Sequence, residues 1–122
     1  MPTCNSILVI EDDVDIRDAL QQVLELEGYA VSTAGNGREG IESLEAMAEM
    51  PCVILLDLMM PVMNGWEFLA AQRASPPLAG IPVVVVTAAG DKAKTVDTAA
   101  YLKKPVDLNA LLDVVKRYCP AQ

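Results

Sequence analysis

The chain has 122 residues, of which 52% are hydrophobic, and nine basic against seventeen acidic side chains give it a net charge of −8. That length holds one core but no second module, the apolar share argues against disorder, and the acidic balance argues against direct contact with nucleic acid. Histidine is absent altogether, which excludes Ser/His/Asp hydrolysis, histidine metal ligation and any role of this chain as a histidine phosphodonor.

No apolar run approaches the roughly 18 residues needed to span a bilayer. The opening Met1-Pro2-Thr3-Cys4-Asn5-Ser6 has no basic stretch followed by an apolar one, so the expected location is the cytoplasm, without membrane insertion. Cys4, Cys52 and Cys119 are odd in number and lack CxxC spacing, and the expectation is three reduced structural thiols. The chain ends soon after Tyr118, which reads as one domain over 1–122, with its core at about 6–118 and no output domain following.

Ile7 to Ile10 predicts a buried strand that runs straight into Glu11, Asp12 and Asp13. Ile16, Ala19, Leu20, Val23 and Leu24 then recur at helical spacing up to Gly28, a C-terminal cap. Ala30 to Ala34 reads as a second strand. Asn36 and Glu39 have the spacing of a helix N-cap and its reaching acid, ahead of a helix carrying Ile41, Leu44 and Ala48 and ending before Pro51. Val53 to Leu56 is an unbroken apolar run of the kind found in a strand covered on both faces, and it stops at Asp57.

Asn64 and Glu67 repeat the capping pattern for a helix with Phe68 and Leu69 inside, stopped by Pro76-Pro77. Pro82 to Val86 predicts the fourth strand, ending at Thr87. Asp91 to Thr98 is polar and predicts only a short, weakly amphipathic helix. Ala100 to Leu102 forms a brief fifth strand before Lys103-Lys104-Pro105, and Asp107 caps a last helix with Leu108, Leu111, Leu112, Val115 and Tyr118 on one face. Strands alternating with helices imply a parallel, helix-covered α/β domain.

In such sheets, chemistry collects beyond the carboxyl ends of the strands. Those ends hold Glu11, Asp12, Asp13, Asp57, Thr87 and Lys104. Clustered carboxylates repel unless a cation or a proton intervenes, and an all-oxygen set without His or Cys suits Mg²⁺. An Asp can be a nucleophile towards phosphorus, and phosphoryl transfer requires neutralisation of the phosphoryl oxygens, which Mg²⁺, Lys104 and Thr87 would supply.

The segments ILVIEDD, VILLDLMMPVMNG, VVVVTA and YLKKP, in this order from about Ser6 to Tyr118, resemble the receiver domains of two-component response regulators. The resemblance implies a flavodoxin-like, three-layer fold of five parallel strands in the order 2-1-3-4-5. It further implies that Asp57 is the phosphoacceptor and that Mg²⁺ is held by Glu11, Asp12, Asp57 and the backbone carbonyl of Met59, with Asp12 as the direct ligand. Thr87 and Lys104 would contact the phosphoryl group, the Lys104-Pro105 bond would be cis, and Tyr101 would turn inward as Thr87 is recruited.

Partners implied are a histidine kinase or histidine phosphotransfer protein and a downstream effector protein, the chain being a monomer or a phosphorylation-dependent dimer. It would be no enzyme beyond its own Mg²⁺-dependent phosphorylation and slow dephosphorylation. In the family, the residues two places after the phosphoacceptor and after the Thr orient the hydrolytic water; here they are Met59 and Ala89, which predicts a long-lived phosphorylated form.

Three features depart from the family pattern. The interval from Thr87 to Lys104 is several positions short, which implies a shortened fourth helix; Asn64 stands for the more usual Asp before Gly65, and Val106 for the usual aromatic after Pro105. Three rival readings remain. A phosphatase of the dehalogenase type wants an acid where Met59 stands, a flavodoxin-type cofactor module would find its phosphate repelled by EDDVD, and a degenerate receiver would act as an unphosphorylated scaffold.

Overall fold

The computed structural model describes residues 4–88 and 98–119. Five strands form one all-parallel sheet in the order β2-β1-β3-β4-β5: β1 Ser6–Ile10, β2 Ala30–Ala34, β3 Val53–Leu56, β4 Val83–Thr87 and β5 Ala100–Lys103. The helices are α1 Val14–Leu26, α2 Gly37–Ala46, α3 Gly65–Ala74, α4 Pro76–Ala79 and α5 Leu108–Tyr118. This is the flavodoxin-like architecture and strand order expected. The helix expected over Asp91–Thr98, and with it the question of a shortened fourth helix, lies outside the described residues but for Thr98.

Strand periodicity builds the three layers. Side chains alternate across a strand, so Ile7 and Val9 of β1 pack with Val53 and Leu55 of β3 under Leu20 and Leu24 of α1 and Leu111 and Val115 of α5. Leu8 and Ile10 face the other way, with Ile54 and Leu56, under Leu44 of α2, Phe68 and Leu69 of α3 and Leu78 of α4. The central strands β1, β3 and β4 bury nearly every residue, as their continuous apolar runs require.

Local chemistry sets the helix ends. The Asp13 carboxylate accepts from the Ile16 N–H at 3.1 Å, and α1 closes as a Schellman turn in which Gly28 N–H donates to Glu25 O and Tyr29 N–H to Leu24 O, with Gly28 at φ 97°. Asn64 and Glu67 form a full capping box on α3. Pro76-Pro77 does end α3, but Pro76 also starts the one-turn helix α4, because proline is tolerated at the first helical position. Helix α2 stops at Ala46, so Ala48 does not belong to it.

The expectation of three reduced thiols is overturned. Cys4 and Cys52 form a disulfide, with Cα atoms 5.8 Å apart, and among the cysteines only Cys119 is free. The 48-residue separation hides their proximity. Cys4 precedes β1, Cys52 precedes β3, and these neighbouring strands start at the same sheet edge, where Cys52 N–H donates to Ser6 O at 2.9 Å.

Candidate functional site

The strand ladders deliver the acids to one edge. Glu11 directly follows β1 and its N–H donates to Ala34 O, Asp57 directly follows β3 and donates to Ile10 O, and Lys104 directly follows β5 and donates to Thr87 O, each at 3.0 Å. These backbone bonds tie the end of β1 to β2, of β3 to β1 and of β5 to β4, and the β3–β4 ladder joins the two groups, so the side chains converge without help from a flexible loop. Glu11 is 2% exposed, Asp57 5% and Thr87, the last residue of β4, 1%. Asp12, by contrast, is exposed.

Lys104 links the buried acids. Its ammonium is hydrogen-bonded to Oε1 of Glu11 and stands 3.4 Å from Oδ2 of Asp57. The Lys104-Pro105 peptide is cis, as the resemblance implied. Burial pushes the Glu11 carboxyl up to about 7, with the Asp57 charge adding to the shift and Lys104 opposing it. Burial also works against the Lys104 ammonium, but its bonds to Glu11 and its attraction to Asp57 outweigh that, and its pKa is raised.

One carboxylate oxygen each from Glu11, Asp12 and Asp57 lies within 4.8 Å of the others. The donors are all hard oxygens, which fits Mg²⁺ and not a thiophilic ion. Glu11 is already engaged by Lys104 and by the Asp13 N–H at 3.2 Å, so exposed Asp12 is the acid left open for direct ligation. Asp13 caps α1 instead. The Met59 N–H lies 3.4 Å from Asp57 Oδ1, which ties the loop after β3 to the acid, while the Met59 side chain is 54% exposed. Tyr101 lies opposite Val85 in β5 and is 47% exposed. Ala89 lies outside the described residues.

Two supporting residues were not singled out in the sequence. Arg17 reaches from α1 to donate to the Glu11 backbone carbonyl at 3.2 Å, bracing the acidic turn; no sequence signal distinguishes it from any exposed helical arginine. Gly65 packs so closely under the acid that a Cβ there would lie 2.7 Å from the Asp57 carbonyl oxygen and from Leu58 Cα. The Asn-Gly pair carried that signal, but it also reads as an ordinary turn. In the same loop Val62 adopts φ 67°, a left-handed conformation that a β-branched residue resists.

Comparison with known proteins places this geometry. Sporulation initiation phosphotransferase F of Bacillus subtilis (strain 168) is 31% identical over 119 residues, covering 93% of this chain and 93% of that protein. The structure of the chemotaxis response regulator CheY4 of Vibrio cholerae superposes with a TM-score of 0.83 at 30% identity, covering 95% of this chain and 99% of that one. The receiver domain of the sensor histidine kinase PA1611 of Pseudomonas aeruginosa PAO1, which has magnesium coordinated in its active-site cleft, shares the fold with a TM-score of 0.85 at 24% identity, covering 97% and 99%. Other relatives, transcriptional regulators among them, are longer, and the chain spans only 35% to 52% of their length. The family model described as the response regulator receiver domain matches residues 7–116, nearly the whole chain, and the chain therefore belongs to that family as a phosphoacceptor domain of two-component signalling.

Proposed function

We propose that Asp57 takes the phosphoryl group from a phosphohistidine of a partner kinase or phosphotransfer protein. The observation that carries this reading is the Lys104 ammonium held 3.4 Å from a buried Asp57, with two further carboxylates beside it. A carboxylate oxygen of Asp57 attacks phosphorus, the P–N bond to the imidazole breaks, and the donor leaves as neutral histidine. Lys104 is positioned to exchange its contact with Asp57 for one with a phosphoryl oxygen. Thr87 would offer its hydroxyl to a second oxygen, and the Met59 N–H would support the acceptor carboxylate.

Asp12, Asp57, the Met59 carbonyl and, less directly, Glu11 would hold Mg²⁺, which when bound neutralises the incoming anion and draws phosphorus towards the acid. The chain would thus catalyse only its own phosphorylation and slow dephosphorylation. It would signal by contact with an effector protein, as a monomer or a phosphorylation-dependent dimer. With a net charge of −8, the chain itself is not suited to a nucleic-acid backbone. Among the described residues no helix is long and apolar enough to cross a membrane, which suits a cytoplasmic role.

Incubation with acetyl phosphate and Mg²⁺, followed by intact mass, tests the assignment. Wild type should gain one phosphate and Asp57→Ala none. An adduct that persists in Asp57→Ala, or that forms equally well with a chelator present, overturns it.

A further inference from the structure

At the end of the sheet opposite Asp57, the three cysteine sulfurs lie within 4.8 Å of one another. Two are joined, Cys4 to Cys52, and the third, Cys119, is a free thiol at the end of α5. Their exposure is graded: Cys4 is open to solvent, Cys52 is half-buried and Cys119 is fully buried. A disulfide whose role is only to staple has no need of a third sulfur packed against it, whereas exchange proceeds by attack of a thiolate on a neighbouring disulfide sulfur.

We propose that Cys4, Cys52 and Cys119 form a thiol–disulfide exchange site, in which Cys119 resolves disulfides formed at Cys52. When the end of α5 opens, solvent base takes the Cys119 proton, and the Cys119 sulfur attacks the Cys52 sulfur. The Cys52–Cys119 bond forms as the Cys4–Cys52 bond breaks, and Cys4 leaves as a thiolate that takes a proton from water. No net oxidation occurs. Cys4 is the better leaving group because, being exposed, its thiolate is solvated. The same geometry serves when Cys52 carries a small external thiol such as glutathione, delivered by oxidised glutathione as the oxidant: Cys119 then expels reduced glutathione and leaves the Cys52–Cys119 bridge.

The surroundings restrain the reaction. The Cys119 thiol donates to Ser6 O at 3.6 Å, its own carbonyl accepts from the Tyr29 hydroxyl at 2.9 Å, and burial pushes the thiol up to about 11. Exchange is accordingly slow at rest, and opening the end of α5 would release it. The two bridges have different mechanical consequences. Cys4–Cys52 ties the lead into β1 to the lead into β3, while Cys52–Cys119 frees the former and ties the end of α5 to the central strand.

The test uses the full chain and disulfide mapping after acid quench and alkylation. Wild type equilibrated in a mixed glutathione buffer should yield a Cys52–Cys119 peptide beside Cys4–Cys52. Cys4→Ser treated with oxidised glutathione should finish with a Cys52–Cys119 bridge and no retained glutathione, whereas Cys4→Ser with Cys119→Ser should retain about tenfold more adduct, having no resolving thiol. A lasting glutathione adduct at Cys52 in Cys4→Ser, with Cys119 free, overturns the proposal. If Cys4→Ser does not fold, the wild-type mapping decides alone, and absence of any Cys119-linked peptide counts against it. Zn²⁺ that shields all three thiols of the reduced protein, without any Cys119 bridge on reoxidation, overturns it in favour of a cation site.

Discussion

The Nζ of Lys104 stands 3.4 Å from Oδ2 of Asp57 while hydrogen-bonded to Glu11, so one ammonium serves two buried acids. Removing one partner of a buried ion pair strands the others, at about 3–5 kcal/mol. Lys104→Ala should therefore lose stability in that range in chelated buffer at pH 8, by urea unfolding, and recover part of it with Mg²⁺. A loss below about 1 kcal/mol, the range of exposed pairs, would show that the ammonium does not hold these acids together.

Glu11 sets a pH dependence. Its carboxyl lies at about 7 in the folded, cation-free protein against an ordinary 4.5. Between those values the folded chain keeps a proton that the unfolded chain releases, so stability falls as pH rises, and above 7 the whole penalty, on the order of 3 kcal/mol, stands. A bound cation offsets that penalty. The rise in Tm on adding Mg²⁺ should therefore be larger at pH 8 than at pH 5.5, and equal shifts would remove Glu11 from the account.

Thr87 is buried at the end of β4, the strand next to the one that leads into Asp57, and Tyr101 of β5 is 47% exposed. Recruitment of the Thr87 hydroxyl by a phosphoryl group on Asp57 would open room for the ring to turn in and so bias a two-state surface. Tyr101 nitration should slow several-fold on phosphorylation of wild type. In Thr87→Ala, phosphate should still load while nitration stays fast; protection that survives the substitution argues for another route.

Met59 offers no strong hydrogen-bond donor in its side chain, although it sits two residues beyond the acceptor and its N–H contacts the acid. Water attacking a phosphoryl group on Asp57 in line would then lack orientation worth orders of magnitude in rate. Met59→Asn should shorten the lifetime of the phosphorylated form by about tenfold, followed by intact mass after donor removal. A half-life equal to that of wild type would show that this side chain does not govern hydrolysis.

Val62, at φ 67° and 71% exposed, buries little of its side chain to offset its strain. Val62→Asn should raise stability by about 1 kcal/mol, since Asn tolerates the left-handed region. Chemical denaturation of the two proteins measures it, and a destabilised Asn variant would mean that Val62 packs against something worth more than its backbone.

Much of this was legible because it is local. The run from Val53 to Leu56 predicts a doubly covered strand with Asp57 beyond it, Asn64 and Glu67 predict their own capping box, and Gly28 its turn; each signal sits within a few residues of its effect. The misreadings are of another kind. Pro76 was legible as a terminator but not as the first residue of α4, since the same fixed φ suits both. The Cys4–Cys52 bridge depends on the adjacency of β1 and β3, which no cysteine spacing encodes. The commitment of Glu11 to Lys104 was equally hidden, because charge type gives membership of a cluster but not the pairing inside it.

Glu11 and Lys104 are 93 residues apart in sequence, and every strand of the sheet lies between or beside them. A growing chain that has made β1, β2, β3 and β4 already holds Asp57 and its acidic neighbours, yet it lacks the ammonium that pairs with Glu11 and Asp57. Lys104 arrives only when β5 closes the sheet edge next to β4. The pairing of Lys104 with Glu11 and Asp57 is thus complete only once the last strand has docked, and a phosphoryl transfer that uses this ammonium would report on assembly of the whole sheet.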